Sequence, residues 1–217
     1  MNVALEKISA ADFDKFRTLF YRKTGIHFED TKRYFVDKRL LERMKATGHQ
    51  TFKGYFTFMR FQASGEEFQN LVNAMTVNET YFFREMAHYD FLKDLALKSK
   101  SLKVWSAAAS IGAEAYSIAM VLDSNMKSWH VMGSDINTHV IDIAKAGLYQ
   151  KSFLDKIPKE YQSKYCLIGR NQYEGKILID RVLYSNMLFF ENNLMHKNTH
   201  IGMFDVIFLR NVLLYFT

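Results

Sequence analysis

Two carboxylates occupy the positions at which a nucleoside-binding site would need them. Asp135 ends the apolar run 131–135, about twenty residues beyond the small-residue turn at 110–114. In doubly wound folds a carboxylate at this point accepts hydrogen bonds from the two neighbouring hydroxyls of a ribose. Taken alone, such an aspartate is more often a helix N-cap, but the turn favours the ribose interpretation. Small residues and Gly112 in that turn predict that backbone amides approach a bound molecule closely.

Glu114, at the start of the next predicted helix, restricts the kind of nucleotide. A pyrophosphate at this helix N-terminus would be repelled by the carboxylate. The turn also has one glycine, where a dinucleotide fingerprint has three. S-adenosylmethionine fits better, because it carries no phosphate and its amino and sulfonium groups are cationic. The alternative is a carboxylate favoured only by the helix dipole.

Further polar residues lie beside apolar segments. The run 78–84, Asn-Glu-Thr-Tyr-Phe-Phe-Arg, is a polar segment able to reach a ligand. Arg210 and Asn211 interrupt the apolar run 206–215, which indicates a strand ending at the ligand-binding edge of a sheet or, alternatively, a solvated strand end. His196 and His200 have no neighbouring cysteine or carboxylate to complete a ligand set, so we predict no metal site.

Periodicity divides the chain into a helical part and an α/β part. We predict an N-terminal helical domain at 1–76, a linker and helix at 77–100, and a third domain at 101–217. In the third, strands at 102–107, 130–134 and 204–209 alternate with helices at 113–126 and 138–148, the order of a parallel α/β sheet. Short alternating stretches at 164–190 predict a small antiparallel β subdomain.

Several helix ends in the first domain carry sequence signals. Ser9 with Asp12 resembles a capping box, and Gly25 closes that helix. The segment 52–61 is predicted to be a short aromatic helix, and Ser64 with Glu67 to start another. On the second helix, Lys32, Arg39 and Arg43 fall on one basic face.

Composition limits the class of protein. The 217 residues are 48% hydrophobic, which is enough for a sizeable core. One cysteine excludes an internal disulfide, the first residues lack a secretory signal, and no stretch reaches the roughly 20 apolar residues of a membrane span. We therefore predict a cytoplasmic protein without membrane insertion.

Positive charge is concentrated near the N-terminus. The chain has 29 Lys and Arg against 23 Asp and Glu, a net charge of +6. The segment 15–45 alone holds ten basic and four acidic residues. Such a local field attracts acidic protein surfaces or nucleic acid.

Five ordered blocks together resemble one family, the chemotaxis receptor methyltransferases (CheR). They are the basic helical module, N-x-T-x-F-F-R, V-W-S-A-A-x-S-x-G-x-E, S-D-I, and, after a small β unit, F-D-x-I-F-x-R-N-V-x-x-Y-F. The resemblance implies a helical domain followed by a Rossmann-like class I methyltransferase sheet with a small antiparallel subdomain. It also implies a protein-glutamate O-methyltransferase that uses S-adenosylmethionine in chemotaxis signalling, methylates receptor glutamates and releases S-adenosylhomocysteine.

The resemblance also implies roles for individual residues. Arg84 would help fix the cofactor and screen the approaching carboxylate, and Tyr215 would lie near the transferred methyl group, so both are candidate catalytic residues. Lys32, Arg39 and Arg43 would meet the acidic methylation helix of a receptor, and the β subdomain would bind a receptor tail peptide. The residues expected to contact the cofactor are Asn78, Thr80, Arg84, Glu114, Asp135, Asn193, Leu194, Arg210 and Asn211.

Two features depart from the family pattern. The usual S-T-G-E-E-P is replaced by Ser110-Ile-Gly-Ala-Glu-Ala, which retains Glu114. The chain also stops at Thr217, where the family continues. We therefore expect a sheet that is incomplete at its C-terminal end, in either a fragment or a homodimer that covers the exposed edge.

Two other functions compete with receptor methylation. A non-catalytic module that binds S-adenosylmethionine or a receptor would explain the altered turn. A nucleic-acid methyltransferase is supported only by the basic module, and Arg210-Asn-Val-Leu-Leu-Tyr215 lacks the prolines of amino-methylating enzymes. We rank the nucleic-acid interpretation last and expect no nucleic-acid partner.

Overall fold

The computed structural model describes residues 7–216, and these form two compact units. The helical unit contains the chain up to Val77 together with 193–197 and the segment from Asn211 onward. The α/β unit contains Asn78–Asn192 and Asn198–Arg210. No helix among residues 7–216 has the length and apolar content that crossing a membrane requires.

Four helices build the helical unit around an aromatic core. Phe16, Phe20 and Phe28 are buried and in ring contact with one another. Phe16 and Phe20 belong to the apolar stripe of the first helix, and Phe28, in the segment that follows that helix, packs against both rings. The helices are α1 (Ala10–Thr24), α2 (Arg33–Ala46), α3 (Phe52–Phe61) and α4 (Glu66–Met75).

The helix-capping predictions differ in outcome between α1 and α4. Ser9 is confirmed as the N-cap of α1, because its Oγ accepts from the Asp12 backbone N–H at 3.1 Å. The Asp12 carboxylate returns to the Ser9 hydroxyl at 2.6 Å, whereas a full capping box uses the Ser9 backbone N–H. Gly25 ends that helix in the left-handed conformation. The capping box at Ser64 and Glu67 was wrong: Gly65 is the N-cap of α4, and Glu67 points into the core instead.

The α/β unit is built on a four-stranded parallel sheet in the order β6-β2-β1-β7. Its strands are β1 (Leu102–Ala107), β2 (Trp129–Asp135), β6 (Met187–Glu191) and β7 (Val206–Leu209). The helices of this unit are α5 (Ala87–Lys98), α6 (Ala113–Asn125), α7 (Thr138–Ala146) and α8 (Lys159–Tyr165). The predicted fold class is confirmed.

A separate antiparallel sheet has the order β3-β5-β4, with β3 (Leu148–Gln150), β4 (Cys166–Ile168) and β5 (Lys176–Ile179). It begins before the predicted limit of 164, since Gly147 ends α7 in the left-handed conformation and the chain enters β3 at once. The assignment of 187–190 to this sheet was wrong, because those residues belong to β6 and pair with β2. Alternation predicts a strand but does not say which strand it pairs with.

Short 3-10 turns connect these elements. They lie at Asp30–Lys32, Lys151–Lys156, Asn171–Tyr173, Arg181–Asn186, Thr199–Ile201 and Leu213–Tyr215.

Candidate functional site

The loop 108–112 joins β1 to α6 at the carboxyl edge of the parallel sheet. Ala108, Ser110 and Gly112 all adopt left-handed backbone conformations, with φ of 61°, 51° and 84°. Non-glycine residues pay about 1–2 kcal/mol for this conformation, so surrounding contacts must hold it. Strand β2 does so, because Ala109 N–H donates to the Ser134 carbonyl and Ser110 N–H to the Asp135 carboxylate, both at 2.8 Å.

Gly112 has a different role from the predicted one. A Cβ built on it would lie 2.8 Å from Ala144 Cβ and 3.2 Å from the Phe189 ring. The side of Gly112 that a side chain would occupy is therefore filled by α7 and β6. The glycine permits close packing of these elements and the left-handed turn, and does not open this side of the loop to a ligand.

Asp135 is the last residue of β2 and is buried, as the sequence predicted for a strand-end carboxylate. One oxygen accepts from Ser110 N–H at 2.8 Å and the other from Asn137 N–H at 2.9 Å. Burial raises the pKa of Asp135, and these backbone N–H groups oppose that shift. The N-cap of α7 is Asn137, so Asp135 is not the cap of that helix, and its oxygens retain lone pairs for further donors.

Two buried polar atoms without partners lie on residues bonded to Asp135. Among residues 7–216, Ser110 Oγ and Asn192 Nδ2 are buried and make no hydrogen bond within the chain. Ser110 binds the Asp135 carboxylate, and Asn192 N–H donates to the Asp135 carbonyl at 2.9 Å. Buried polar groups are rarely left unpaired, so this position fits a ligand that supplies hydroxyl or ring-nitrogen partners.

Glu114 lies in the first turn of α6 and is joined to Arg210. Its carboxylate accepts from Ser106 Oγ at 2.7 Å and from Arg210 Nη1 at 3.1 Å. Burial raises the pKa of Glu114, whereas Ser106 and Arg210 oppose the shift. The sequence predicted both residues at this edge, and the parallel pairing of β1 with β7 brings them together.

The Arg210 guanidinium contacts more acceptors than Glu114 alone. It donates to the Arg84 carbonyl at 2.8 Å and lies 3.1 Å from the Glu85 carboxylate. Its Nε is also buried and has no hydrogen-bond partner within residues 7–216. A carboxylate acceptor at Glu114 and a free donor on Arg210 together suit the amino and carboxylate groups of an amino acid.

The polar segment 78–84 is held by its two phenylalanines. Phe82 packs edge-on against Tyr149 and Phe83 stacks on Tyr161, each with ring centroids 5.1 Å apart. Phe83 N–H also donates to Ser117 Oγ at 3.0 Å. This anchoring leaves Asn78, Thr80 and Arg84 partly exposed on the α/β unit.

The guanidinium of Arg84 approaches the edge of the Glu114 cluster, with its Nε 3.9 Å from the Glu85 carboxylate that Arg210 also binds. It lies over the Tyr81 ring at 5.7 Å, and its Nη1 donates to the Glu79 carbonyl at 3.3 Å. The residue joins the cluster through its backbone carbonyl, which Arg210 binds. The catalytic role of the Arg84 side chain therefore stays a prediction.

The remaining predicted site residues belong to the helical unit. Asn193 donates to the Lys23 carbonyl at 2.7 Å and accepts from Met195 N–H, and the Tyr215 carbonyl accepts from His27 N–H at 3.0 Å. Asn211 has a φ of 56°, and Leu194 is partly exposed. Their cofactor and catalytic roles stay predictions from the resemblance.

The three predicted receptor contacts differ in their surroundings. Arg43 forms a bidentate pair with Glu67 at 3.0 and 2.6 Å, and Tyr55 donates to the same carboxylate at 2.8 Å. Since Glu67 is 3% exposed, this pair ties Arg43 to the interior of the helical unit, while the Arg43 side chain itself remains 24% exposed. Its role as a receptor contact stays a prediction. Arg39 pairs with Glu42 at the surface, and Lys32 is exposed.

Sequence reasoning missed Ser106, Glu85 and Asn192 as members of the site. Each is a common polar residue in an ordinary context, and Ser106 meets Glu114 because the left-handed loop 108–112 turns the start of α6 back towards the end of β1. Asn192 had a partial signal, because it precedes the predicted Asn193. Among residues 7–216, no group of three or more His, Cys, Asp or Glu could hold a metal ion.

A parallel sheet in this order, with a left-handed loop after β1 and a buried carboxylate ending β2, defines a Rossmann-like methyltransferase fold. Residues 78–217 match the model described as CheR methyltransferase, SAM binding domain, and residues 11–76 match the CheR methyltransferase all-alpha domain. The chain belongs to the CheR methyltransferase family and is an S-adenosylmethionine-dependent methyltransferase.

Curated relatives cover most of the chain. It is 41% identical to chemotaxis protein methyltransferase 2 of Vibrio cholerae, over 96% of this chain and 76% of the relative. The chemotaxis protein methyltransferases of Salmonella typhimurium and Escherichia coli are each 36% identical, over 96% of this chain and 75% of each relative.

Proposed function

We propose that this chain transfers the methyl group of S-adenosylmethionine to glutamate side chains on the acidic methylation helices of chemoreceptors, in the cytoplasm, and releases S-adenosylhomocysteine. The family match supports the methyl donor. The relatives' names support a substrate in chemotaxis. Exposed lysines on α2 support an acidic protein partner.

The assignment of S-adenosylmethionine as the methyl donor, which we call the donor half of the proposal, rests on two buried polar atoms near Asp135 that lack hydrogen-bond partners within residues 7–216. Ser110 Oγ and Asn192 Nδ2 lack partners in the part of the chain that the structure describes, and each Asp135 oxygen accepts from one backbone N–H and retains a lone pair. We assign the ribose hydroxyls to Asp135, with Ser110 and Asn192 completing the nucleoside contacts. Glu114 and Arg210 would hold the amino and carboxylate groups of the methionine part, where Glu114 disfavours a phosphate.

When bound, S-adenosylmethionine supplies a methyl group already activated by the sulfonium, so the methyl carbon's bond to sulfur breaks as its bond to the glutamate oxygen forms. A glutamate carboxylate is an adequate nucleophile at neutral pH, and no residue of the chain needs to act as a general base. The chain's contribution is to hold the reacting groups in line and exclude water, which lowers the barrier by several kcal/mol.

The donor half is tested with Ser110→Ala, measured by calorimetric titration with S-adenosylmethionine and S-adenosylhomocysteine. Because Ser110 Oγ has no hydrogen-bond partner within residues 7–216, its removal costs no hydrogen bond in that part of the chain. We expect unchanged stability and several-fold weaker binding. Asp135→Ala should abolish measurable binding, whereas Asp155→Ala, at an exposed position, should leave it unchanged.

The identity of the methyl acceptor, a receptor glutamate, needs a separate assay. Purified protein, S-adenosylmethionine and a receptor cytoplasmic fragment should give base-labile methylation, the property of a glutamyl methyl ester. Cofactor binding without any methyl transfer would instead favour a non-catalytic binding module. Wild-type protein that binds neither S-adenosylmethionine nor S-adenosylhomocysteine would overturn the donor half.

A further inference from the structure

Tyr149 connects the small antiparallel sheet to the loop 108–112. It lies on β3, opposite Ile177 of β5, and is 4% exposed. Its hydroxyl donates to the Ile111 carbonyl at 2.7 Å. The loop that presents Ser110 is therefore held by β2 on one side and by a residue of the other sheet as well.

The loop needs such an anchor because of its conformation. Ala108 and Ser110 both have positive φ, a state that persists when surrounding contacts enforce it. The contacts from β2 fix Ala109 and Ser110. Tyr149 fixes the next carbonyl along the chain, that of Ile111, immediately before Gly112 turns into α6.

The ring of Tyr149 is itself held rigidly. It packs edge-on against Phe82 at 5.1 Å and Tyr116 at 6.3 Å, and lies 5.7 Å from Phe153. Phe82 is one of the two phenylalanines that anchor the polar segment 78–84. One side chain thus contacts the anchor of that segment and the carbonyl next to Ser110.

We propose that Tyr149 is a positioning residue for the methyl donor, acting by holding the loop 108–112 in its binding conformation and in register with the segment 78–84. This inference rests on the proposed function, because it assigns the loop to S-adenosylmethionine. Tyr149 would not contact the donor itself. Its effect would be on affinity for the donor and on the mobility of the loop.

Tyr116 provides a matched control. Its hydroxyl donates to the Ala144 carbonyl, also at 2.7 Å, and the residue is fully buried. Tyr116→Phe therefore removes a buried hydrogen bond to α7 of the same length, together with an interaction with the Tyr184 hydroxyl, and leaves the one at Ile111 in place. The two variants should lose comparable thermal stability.

The test is S-adenosylhomocysteine titration of wild type, Tyr149→Phe and Tyr116→Phe at a temperature where all are folded. We expect about tenfold weaker binding for Tyr149→Phe, the effect of losing one buried hydrogen bond, and less than twofold for Tyr116→Phe. Amide hydrogen exchange at Ser110 and Gly112 should accelerate in the first variant only. If Tyr149 contributed to global stability alone, its replacement would not accelerate exchange at these two amides more than at other amides.

Each outcome has a defined meaning. Equal affinities of the two variants, with wild type binding normally, would overturn the inference and leave the proposed function standing. Wild type that fails to bind would overturn the proposed function and with it the assignment of the loop. If Tyr149→Phe fails to fold while Tyr116→Phe folds, the hydroxyl is a requirement of the fold, which also overturns the inference.

Discussion

At the scale of single residues, the candidate site is marked by buried polar atoms that lack hydrogen-bond partners within residues 7–216. Each oxygen of Asp135 accepts from one backbone N–H and retains a lone pair, and its neighbours Ser110 and Asn192 carry buried atoms without partners among residues 7–216. Natural proteins leave few buried polar atoms unpaired, and such atoms are informative where they occur. The site is thus identified by missing hydrogen bonds as much as by those present.

The buried carboxylate of Asp135 predicts a pH effect on stability. Burial raises its pKa in the folded state above the ordinary value of 3.8, so the folded state holds this proton more tightly than the unfolded state. The contribution of Asp135 to the free energy of unfolding is therefore fullest below that value, and is lost as pH rises through the raised pKa. Asp135→Asn lacks this contribution.

We expect the free energy of unfolding of Asp135→Asn, relative to wild type, to increase as pH rises above 3.8 through the raised pKa of Asp135. Urea denaturation of both proteins across this range measures the difference. Asp155→Asn, at an exposed position, is the control and should track wild type. A pH-independent difference for Asp135→Asn would contradict a raised pKa.

At the scale of elements, helix α2 carries basic residues of two kinds. Arg43 is tied to the buried Glu67, whereas Arg39 pairs with Glu42 at the surface. Breaking a buried pair leaves an uncompensated charge, and an exposed pair contributes little. The basic residues that helical spacing places on one face therefore differ in their contacts, and their common role towards a receptor stays a prediction.

Arg43→Ala should lower the free energy of unfolding by about 3 kcal/mol, because Glu67 would lose its charged partner in a buried environment. Arg39→Ala, four residues earlier on the same helix, should change it by less than about 0.5 kcal/mol. Chemical denaturation of both variants measures these values. Equal effects would show that the Arg43–Glu67 pair has no special part in the fold.

At the scale of the whole molecule, charge is distributed unevenly. The chain's net charge of +6 is matched by the excess within residues 15–45. Several of those basic residues form ion pairs with nearby carboxylates of the same unit, including Arg17, Arg33 and Arg39. Lys32, Lys38 and Lys45 are exposed and, within residues 7–216, form no ion pair with a carboxylate, so they are the better candidates for an acidic partner.

Replacing Lys32, Lys38 and Lys45 together by glutamine should weaken methylation of a receptor fragment at low salt and flatten its salt dependence, because exposed charges act through screened, long-range attraction. The same change at the exposed Lys98, Lys127 and Lys159 of the α/β unit is the control. Initial methylation rates at several salt concentrations are the measurement. Equal effects of both triple variants would show that only net charge matters.

The sequence by itself determined the order of a helical part and an α/β part, the strands β1, β2 and β7 to within a few residues, and the positions of Asp135 and Glu114. These follow from periodicity and local composition, which a single segment contains. The domain bounds at 76 and 100 stay predictions, and the structure assigns 193–197 and the segment from Asn211 onward to the helical unit. Tertiary structure decided which strand β6 pairs with, that Arg43 binds the buried Glu67 and that Gly112 serves packing. It also decided that Asn192 binds Asp135 and that Tyr149 binds the loop that carries Ser110. Those outcomes depend on contacts between segments far apart in the chain, and no local pattern encodes which distant partner fills a given space.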